Sequence, residues 1–472
     1  MNLLSSLKGQ QKSSLTGEGG TLLLINGTAY TWKKGNSNSY QMTTWSFPKE
    51  VQPGDIASVY IQFKQTIGTV RSDTSGFCNY ALKGTQARSF RIEVKDAPSN
   101  LKVQLQNIQT PNNPKGSWIQ LGWRHDGVVS FILSGKEGSF SSSNPPHDWM
   151  QQNLRTLGPR PLHKICMPGT HDAGMGEITH TDVIPADIMA DFAQTQSLTI
   201  IGQLEMGSRY FDIRPEISGG ENWTGHYTGK LGARGQKMSS IIDDINTFTQ
   251  KCAELIILNL SHSLQTDQGW REYDQAEWNA LFAELIRLNY RFILTGSEAK
   301  DLSLLPLSRF IGSGHAAVVI VVEAPSHINL SAYGDKGFYL PSQLNVYNEY
   351  SNTNDCVEMV QDQVQKMENF MKSSDKRLFL ISWTLTQQPP DVTPEDFLPP
   401  NTLVGLGKIA QWKIDNKTIR ILAYSANKAL LTDLLPHVSQ AAFPNIVYID
   451  YMEIKDYVAL AMAINDRAFT NA

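Results

Sequence analysis

From residue 150 onward, short, almost wholly apolar runs alternate with amphipathic segments, and this rhythm constrains the fold more than any other feature. The runs are His163–Met167, Arg209–Ile213, Leu255–Leu260, Ala317–Val322, Leu378–Trp383, Ile419–Ala423 and Ile446–Asp450. Continuous aliphatic or β-branched runs mark strands buried on both faces, as in a parallel sheet covered by helices. Between them, the stretch from Asp355 to Lys372 places Cys356, Met359, Val360, Val364, Met367, Phe370 and Met371 on one helical face. Those methionines read as core. Roughly 300 residues of this alternation predict an α/β domain over 150–472, a TIM-like (β/α) barrel.

The preceding part has a different period. Thr21–Gly27, Ile56–Phe63, Ser89–Val94, Leu101–Leu105 and Val128–Leu133 alternate or run apolar between turn residues. Period-two patterning at this spacing predicts an all-β antiparallel sandwich over 21–138. Residues 1–20 are polar and rich in Gly and Ser, and read as a flexible arm. Residues 139–149, with Ser141-Ser142-Ser143-Asn144-Pro145-Pro146, read as a linker.

A pI near 6.2 and a net charge of -4 give no pull toward nucleic acid. The charge is uneven. Residues 1–140 carry 15 Lys and Arg against 8 Asp and Glu, a net of +7, which leaves -11 for the rest. This suits a front module facing an anionic partner such as a membrane surface, although solvated outer faces of a β-domain account for it equally well. Cys78, Cys166, Cys252 and Cys356 lie far apart with no zinc spacing and read as free thiols. The apolar run at the N-terminus is too short for a signal peptide, and no later run is long enough to span a bilayer. The expectation is a soluble protein, cytoplasmic or secreted without a leader.

The chemistry concentrates in three phrases. Pro168-Gly169-Thr170-His171-Asp172-Ala173-Gly174 is the first, Arg209-Tyr210-Phe211-Asp212-Ile213-Arg214-Pro215 the second, and Asn222-Trp223-Thr224-Gly225-His226-Tyr227 the third. Two imidazoles and a fixed guanidinium can move a phosphoryl group without a metal. One ring takes a proton from the attacking oxygen and the other gives one to the leaving oxygen. The guanidinium holds two phosphate oxygens and offsets their charge. His171, Arg214 and Asp450 each stand at the end of a predicted strand, where barrels of this kind carry their active sites.

From Leu162 to Asp450 the chain resembles the X-domain family of phosphatidylinositol-specific phospholipases C, in its metal-independent bacterial form. The resemblance rests on five stretches in order: Lys164–Asp172, Gln203–Arg214, Gly225-His226, Leu255–Leu260 and Ile446–Tyr451. It implies His171 as general base, Asp450 as the acceptor fixing its tautomer, His226 as general acid supported by Asp172, and Arg214 as phosphate clamp. It implies cleavage by a head-group hydroxyl attacking phosphorus, with a cyclic phosphodiester as first product, and neither cofactor nor metal. Tyr350 looks like the tyrosine that stacks on the inositol ring. Asp212, His262 and Glu323 are further candidates for substrate binding, Asp212 also as a mere brace for Arg214.

The family pattern is not kept throughout. Where calcium-dependent relatives have carboxylates, this chain has Arg214 and Ser261. A lysine and a glutamate that contact the ring in bacterial enzymes correspond to Ser261 and Ser263. Glu323 stands near the place of an arginine, and Asn348 replaces an aspartate. The catalytic pattern is kept and the head-group positions differ. The expected partner is a phospholipid or glycolipid head group. Two other readings stand beside this one. One is a metal-dependent glycerophosphodiesterase or phospholipase D-like enzyme using oxygens of Asp172, Asp212 and Glu205. The other is a non-catalytic lipid- or glycan-binding protein.

Overall fold

The computed structural model describes residues 19–469 apart from 182–183, 374, 389–391, 393–395, 397–401 and 416; the expected arm lies almost wholly outside them. The chain divides into two compact units between Ser143 and Asn144.

The first unit consists of two sheets. Strands Ser141–Ser142, Val128–Gly135, Gly19–Thr28, Ile56–Phe63 and Met42–Trp45 form one, in that order. Strands Glu50–Val51, Trp32–Tyr40, Ser75–Leu82, Ser89–Lys95, Asn100–Gln106 and Trp118–Gln120 form the other. Alternation decides which side chains turn inward. Phe90, Ile92 and Val94 on one strand, and Leu101, Val103 and Leu105 on its neighbour, are buried while the residues between them are not. They share one apolar cluster with Leu22, Val59 and Phe131 of the first sheet. One pairing departs from the antiparallel expectation. Gly19–Thr28 runs parallel to Val128–Gly135. A parallel neighbour requires a long crossover, and the intervening strands of both sheets supply it. Ser141–Ser142, read as linker, pairs with Leu133–Ser134.

The second unit is built on eight parallel strands: β1 (Met167–Thr170), β2 (Tyr210–Ile213), β3 (Leu255–Leu260), β4 (Ala317–Val322), β5 (Phe338–Tyr339), β6 (Val346–Asn348), β7 (Leu378–Ser382) and β8 (Ile446–Ile449). Their order is β5-β4-β3-β2-β1-β8-β7-β6, the cyclic order of a barrel opened between β5 and β6. β3 and β4 are buried along their whole length, as their continuous apolar runs require.

Of His163–Met167, expected as a strand, only Met167 lies in β1, because Leu162–Lys164 forms a tight helical turn. Ile419–Ala423, also expected as a strand, is the start of helix Ile419–Ala429. Ile419, Leu422, Ala423 and Ala426 are buried at helical spacing, and the Thr418 hydroxyl caps the first turn by accepting from the Ile421 amide. Helix Cys356–Lys372 buries Met359, Val360, Val364, Met367 and Phe370. Below β2 and β3 the fully buried Arg209 pairs with Glu254 at 2.8 Å, and Glu254 also accepts the amides of Met150 and Gln151. A further sheet is an excursion from β2 and β3, with strands Leu231–Lys237, Glu221–Thr228, Pro215–Ser218 and Leu264–Gln265 in order.

Candidate active site

Three strand ends bring the acidic and basic groups together. His171 follows β1, and its amide donates to the Ile449 carbonyl of β8. Asp450 follows β8 directly. Asp172, His262 and Tyr451, each just past a strand end, have φ of 40°, 52° and 53°. Such left-handed residues cost energy and gather where a site must be shaped. His226 arrives on the separate sheet, on strand Glu221–Thr228.

The His171 ring is held from both sides. Its Nδ1 lies 2.7 Å from Asp450 Oδ1, and its Nε2 lies 2.8 Å from Arg214 Nη2. Because the guanidinium can only donate, Nε2 is the acceptor and Nδ1 carries the proton given to Asp450. The His226 ring stands with its centroid 6.4 Å from that of His171. Its Nδ1 donates to the Ala193 carbonyl at 3.1 Å, which leaves Nε2 as the outward nitrogen. Asp172 was expected to support His226. Its nearest oxygen is 3.5 Å from Nδ1 and, like its other oxygen, is buried without a hydrogen-bond partner. The ring's hydrogen bond goes to the backbone carbonyl instead, and Asp172 acts on Arg214 through its field.

Asp212 holds Arg214 in place. Its Oδ2 accepts from Arg214 Nε at 3.1 Å, from the Tyr448 hydroxyl at 2.7 Å and from the Asp172 amide at 3.1 Å, while Oδ1 accepts from Ser261 at 2.9 Å. Burial alone would raise its pKa, but Arg214, His171 and these donors hold it far below the usual carboxylate range. Burial also opposes the Arg214 charge, which Asp212 and Asp172 more than restore.

The two imidazoles are pushed apart. Burial alone would lower the His171 pKa, but the Asp450 carboxylate outweighs it and the net shift is upward. Burial, then Arg214 and His171, push the His226 pKa down to about 3. Burial raises the Asp172 pKa to about 7 against the opposing pull of Arg214. His171 is therefore the stronger base and protonated His226 the stronger acid, the division of labour that general acid–base catalysis uses.

A cavity of about 770 Å³ opens on this centre. Of the residues singled out in the sequence, His171, Arg214, His226, Asp450, His262 and Tyr350 line it. Asp172 and Asp212 lie behind them, buried, and do not line the cavity. Glu323 is exposed, accepts from Asn259 Nδ2 at 3.2 Å and does not line the cavity. Glu205 is exposed on helix Ile200–Met206.

Sequence reading missed three supports. Tyr448 stands edge-on to His171 with ring centroids 5.4 Å apart, and its spacing two residues before Asp450 was the available signal. The Ala193 carbonyl left no signal in the sequence, nor did Gln196, whose amide ties the His171 and Ile449 carbonyls together. Among the described residues no group of three or more His, Cys, Asp and Glu is arranged to hold a metal ion. No helix among them is long and apolar enough to cross a membrane.

No family model matches the chain. A protein of Dictyostelium discoideum described as PI-PLC X domain-containing is 32% identical over 77 residues, 14% of this chain. The match spans 13% of that relative's length. The solved structures to which the chain is similar include bacterial phosphatidylinositol-specific phospholipases C. Two mutant forms of the Staphylococcus aureus enzyme are each 16% identical, with TM-scores of 0.46 and 0.44, and cover 68% of this chain and 99% and 97% of their own. The Listeria monocytogenes enzyme is 18% identical, covers 68% of this chain and 98% of its own, and has a TM-score of 0.41.

Proposed function

We propose that the second unit is a metal-independent phosphodiesterase of the phospholipase C type, acting on a phospholipid or glycolipid whose head group carries a hydroxyl beside the phosphate. The observation that carries this reading is the convergence of His171, His226 and Arg214 on one cavity, with the two rings 6.4 Å apart between centroids. His171 Nε2 takes the proton of the head-group hydroxyl. The oxygen attacks phosphorus as the bond to the lipid oxygen breaks, and that oxygen takes a proton from His226 Nε2. Arg214 holds the non-bridging oxygens. The products are a cyclic phosphodiester and the lipid alcohol, and a slower attack by water opens the ring. Attack from within the substrate gains from proximity. The cation that Asp172 and Asp212 hold is the Arg214 guanidinium, 3.5 Å and 3.1 Å away, so the reaction as written calls on no metal.

The first unit, with two sheets around one core, is in this reading a sandwich that docks on a membrane or another anionic surface. Its support is the net charge of +7 over residues 1–140.

The test is incubation of the full chain with phosphatidylinositol, phosphatidylcholine and lysolipids, with and without chelator, and identification of the products by phosphorus NMR. A cyclic inositol phosphate that persists with chelator and disappears in His171→Asn and His226→Asn is expected. Release of choline, or loss of activity with chelator, would redirect the reading to the metal-dependent alternative.

A further inference from the structure

The cavity is lined by polar and apolar groups, with Thr195, Thr228 and Gln387 among the apolar ones near His226. Asn348 and Tyr350 at the end of β6, Ser382 and Thr384 at β7 and His262 after β3 supply polar groups. Phe192, Leu231, Leu385, Val392 and Ile419 supply hydrocarbon. Phe192, Leu231 and Val392 gather beside His226. Ala193, whose carbonyl holds the His226 ring, and Ala233, its cross-strand partner, are buried in one cluster with Met175, Met189, Val392 and Ile409. Phe192 and Leu231 pack against that cluster and also face the cavity.

His226 is the group that protonates the leaving oxygen, so whatever is bonded to that oxygen departs on the apolar side. We infer that this side is a subsite for the hydrocarbon of the leaving group, and that the substrate is a single-chain amphiphile taken into the protein as one molecule. This deepens the proposed reaction and rests on its assignment of His226. Size points the same way. Cavities of roughly 300–1,000 Å³ enclose molecules of drug size. A volume of about 770 Å³ lies in that range, room for a head group with one chain drawn inside.

The test uses the full chain and alkyl diesters of inositol 1-phosphate with one-, four- and eight-carbon alkyl groups, kept below the concentrations at which they aggregate. Each methylene buried on this side raises kcat/KM by up to about fourfold. A rise of at least about tenfold from the methyl to the octyl diester is expected. Leu231→Trp, which fills part of the apolar side from a half-buried position, is expected to move the optimum to a shorter chain. Turnover of all three diesters with no dependence on chain length overturns the inference while the proposed reaction stands. So does turnover of bilayer phosphatidylinositol with none of the dispersed diesters, or a chain-length optimum that Leu231→Trp leaves in place. No turnover of any diester or lipid overturns the reaction itself.

Discussion

Arg214 Nη2 donates to His171 Nε2 across 2.8 Å, so the guanidinium assigned to the phosphate covers the lone pair that the base needs. In the proposed reaction an arriving phosphate would draw Arg214 toward itself and uncover the base, which would tie activation to occupancy. Arg214→Lys keeps a charge but loses the planar fork. It is expected to lower kcat about 100-fold, within the range for loss of one preorganised donor. In nitrogen NMR, inorganic phosphate should shift the His171 Nε2 resonance of the parent protein and leave that of the lysine variant nearly unmoved. A kcat loss below threefold would remove Arg214 from the clamp role.

Asp450 raises the His171 pKa. Activity needs one proton shared between the two imidazoles, so kcat/KM should be flat between their pKa values and fall on either side. The alkaline fall comes where His171 loses its proton. Removing the carboxylate lowers that pKa, so in Asp450→Asn the alkaline limb should move to lower pH. The acid limb, set by His226 with a pKa of about 3, should stay in place. An alkaline limb that does not move would separate Asp450 from the base.

Tyr448, which also lines the cavity edge-on to His171, and Ser261 both donate to Asp212, and their effect on the reaction is expected to run through that brace. Tyr448→Phe and Ser261→Ala should each cost about 1–3 kcal/mol in stability, because a buried carboxylate loses a donor. They should lower kcat about tenfold with KM nearly unchanged. The Tyr448→Phe/Asp212→Asn double variant should be no slower than Asp212→Asn alone. Additive losses would show that Tyr448 acts independently of Asp212.

Asp172 offers a linkage test. With its folded pKa raised to about 7, the unfolded chain ionises first as pH rises from about 4. The folded state then holds more protons than the unfolded one, so this group lowers stability across pH 4 to 7 and no further above that window. A shift of this size corresponds to about 4 kcal/mol. Asp172→Asn should therefore be more stable than the parent at pH 8, and the difference should vanish near pH 4 in denaturant titrations. A difference independent of pH would remove Asp172 as its source.

A Cβ on Gly174 would lie 2.2 Å from Thr224 Oγ1 and 2.4 Å from its Cβ. Thr224 stands two residues before His226 and donates to the Gly174 carbonyl at 3.1 Å. Gly174→Ala should cost about 2 kcal/mol or more by overpacking. It should also reduce activity beyond the loss of folded protein, by displacing the His226 strand from the His171 loop. Thermal melting and activity per folded molecule check the two parts separately.

The parallel strands were legible where burial on both faces writes a continuous run, as at Leu255–Leu260 and Ala317–Val322. β5 and β6 were not, because two or three residues cannot show a period. Ile419–Ala423 misled, since five apolar-rich residues suit a strand or the first turns of a helix until the following turns are counted. The groups at the centre were legible because the motifs around His171, Arg214 and His226 each sit at a strand or hairpin position. Their supports were not, since a carbonyl such as that of Ala193 has no side-chain identity to read. The parallel pairing of Gly19–Thr28 was hidden for another reason: alternation fixes which side chains face inward and says nothing of strand direction.

Strand order places β1, β2 and β8 in the middle of the eight, each flanked on both sides by neighbours, and leaves β6 at a rim with one. His171, Arg214 and Asp450 follow the middle strands, whereas Asn348 and Tyr350 sit on or just past the rim. In the proposed reaction the base, the guanidinium and Asp450 would thus stand where strands are paired on both sides, and the head group would meet a margin paired on one. On that reading, one head group could be exchanged for another by rewriting a few residues at that margin, without retuning the two imidazoles.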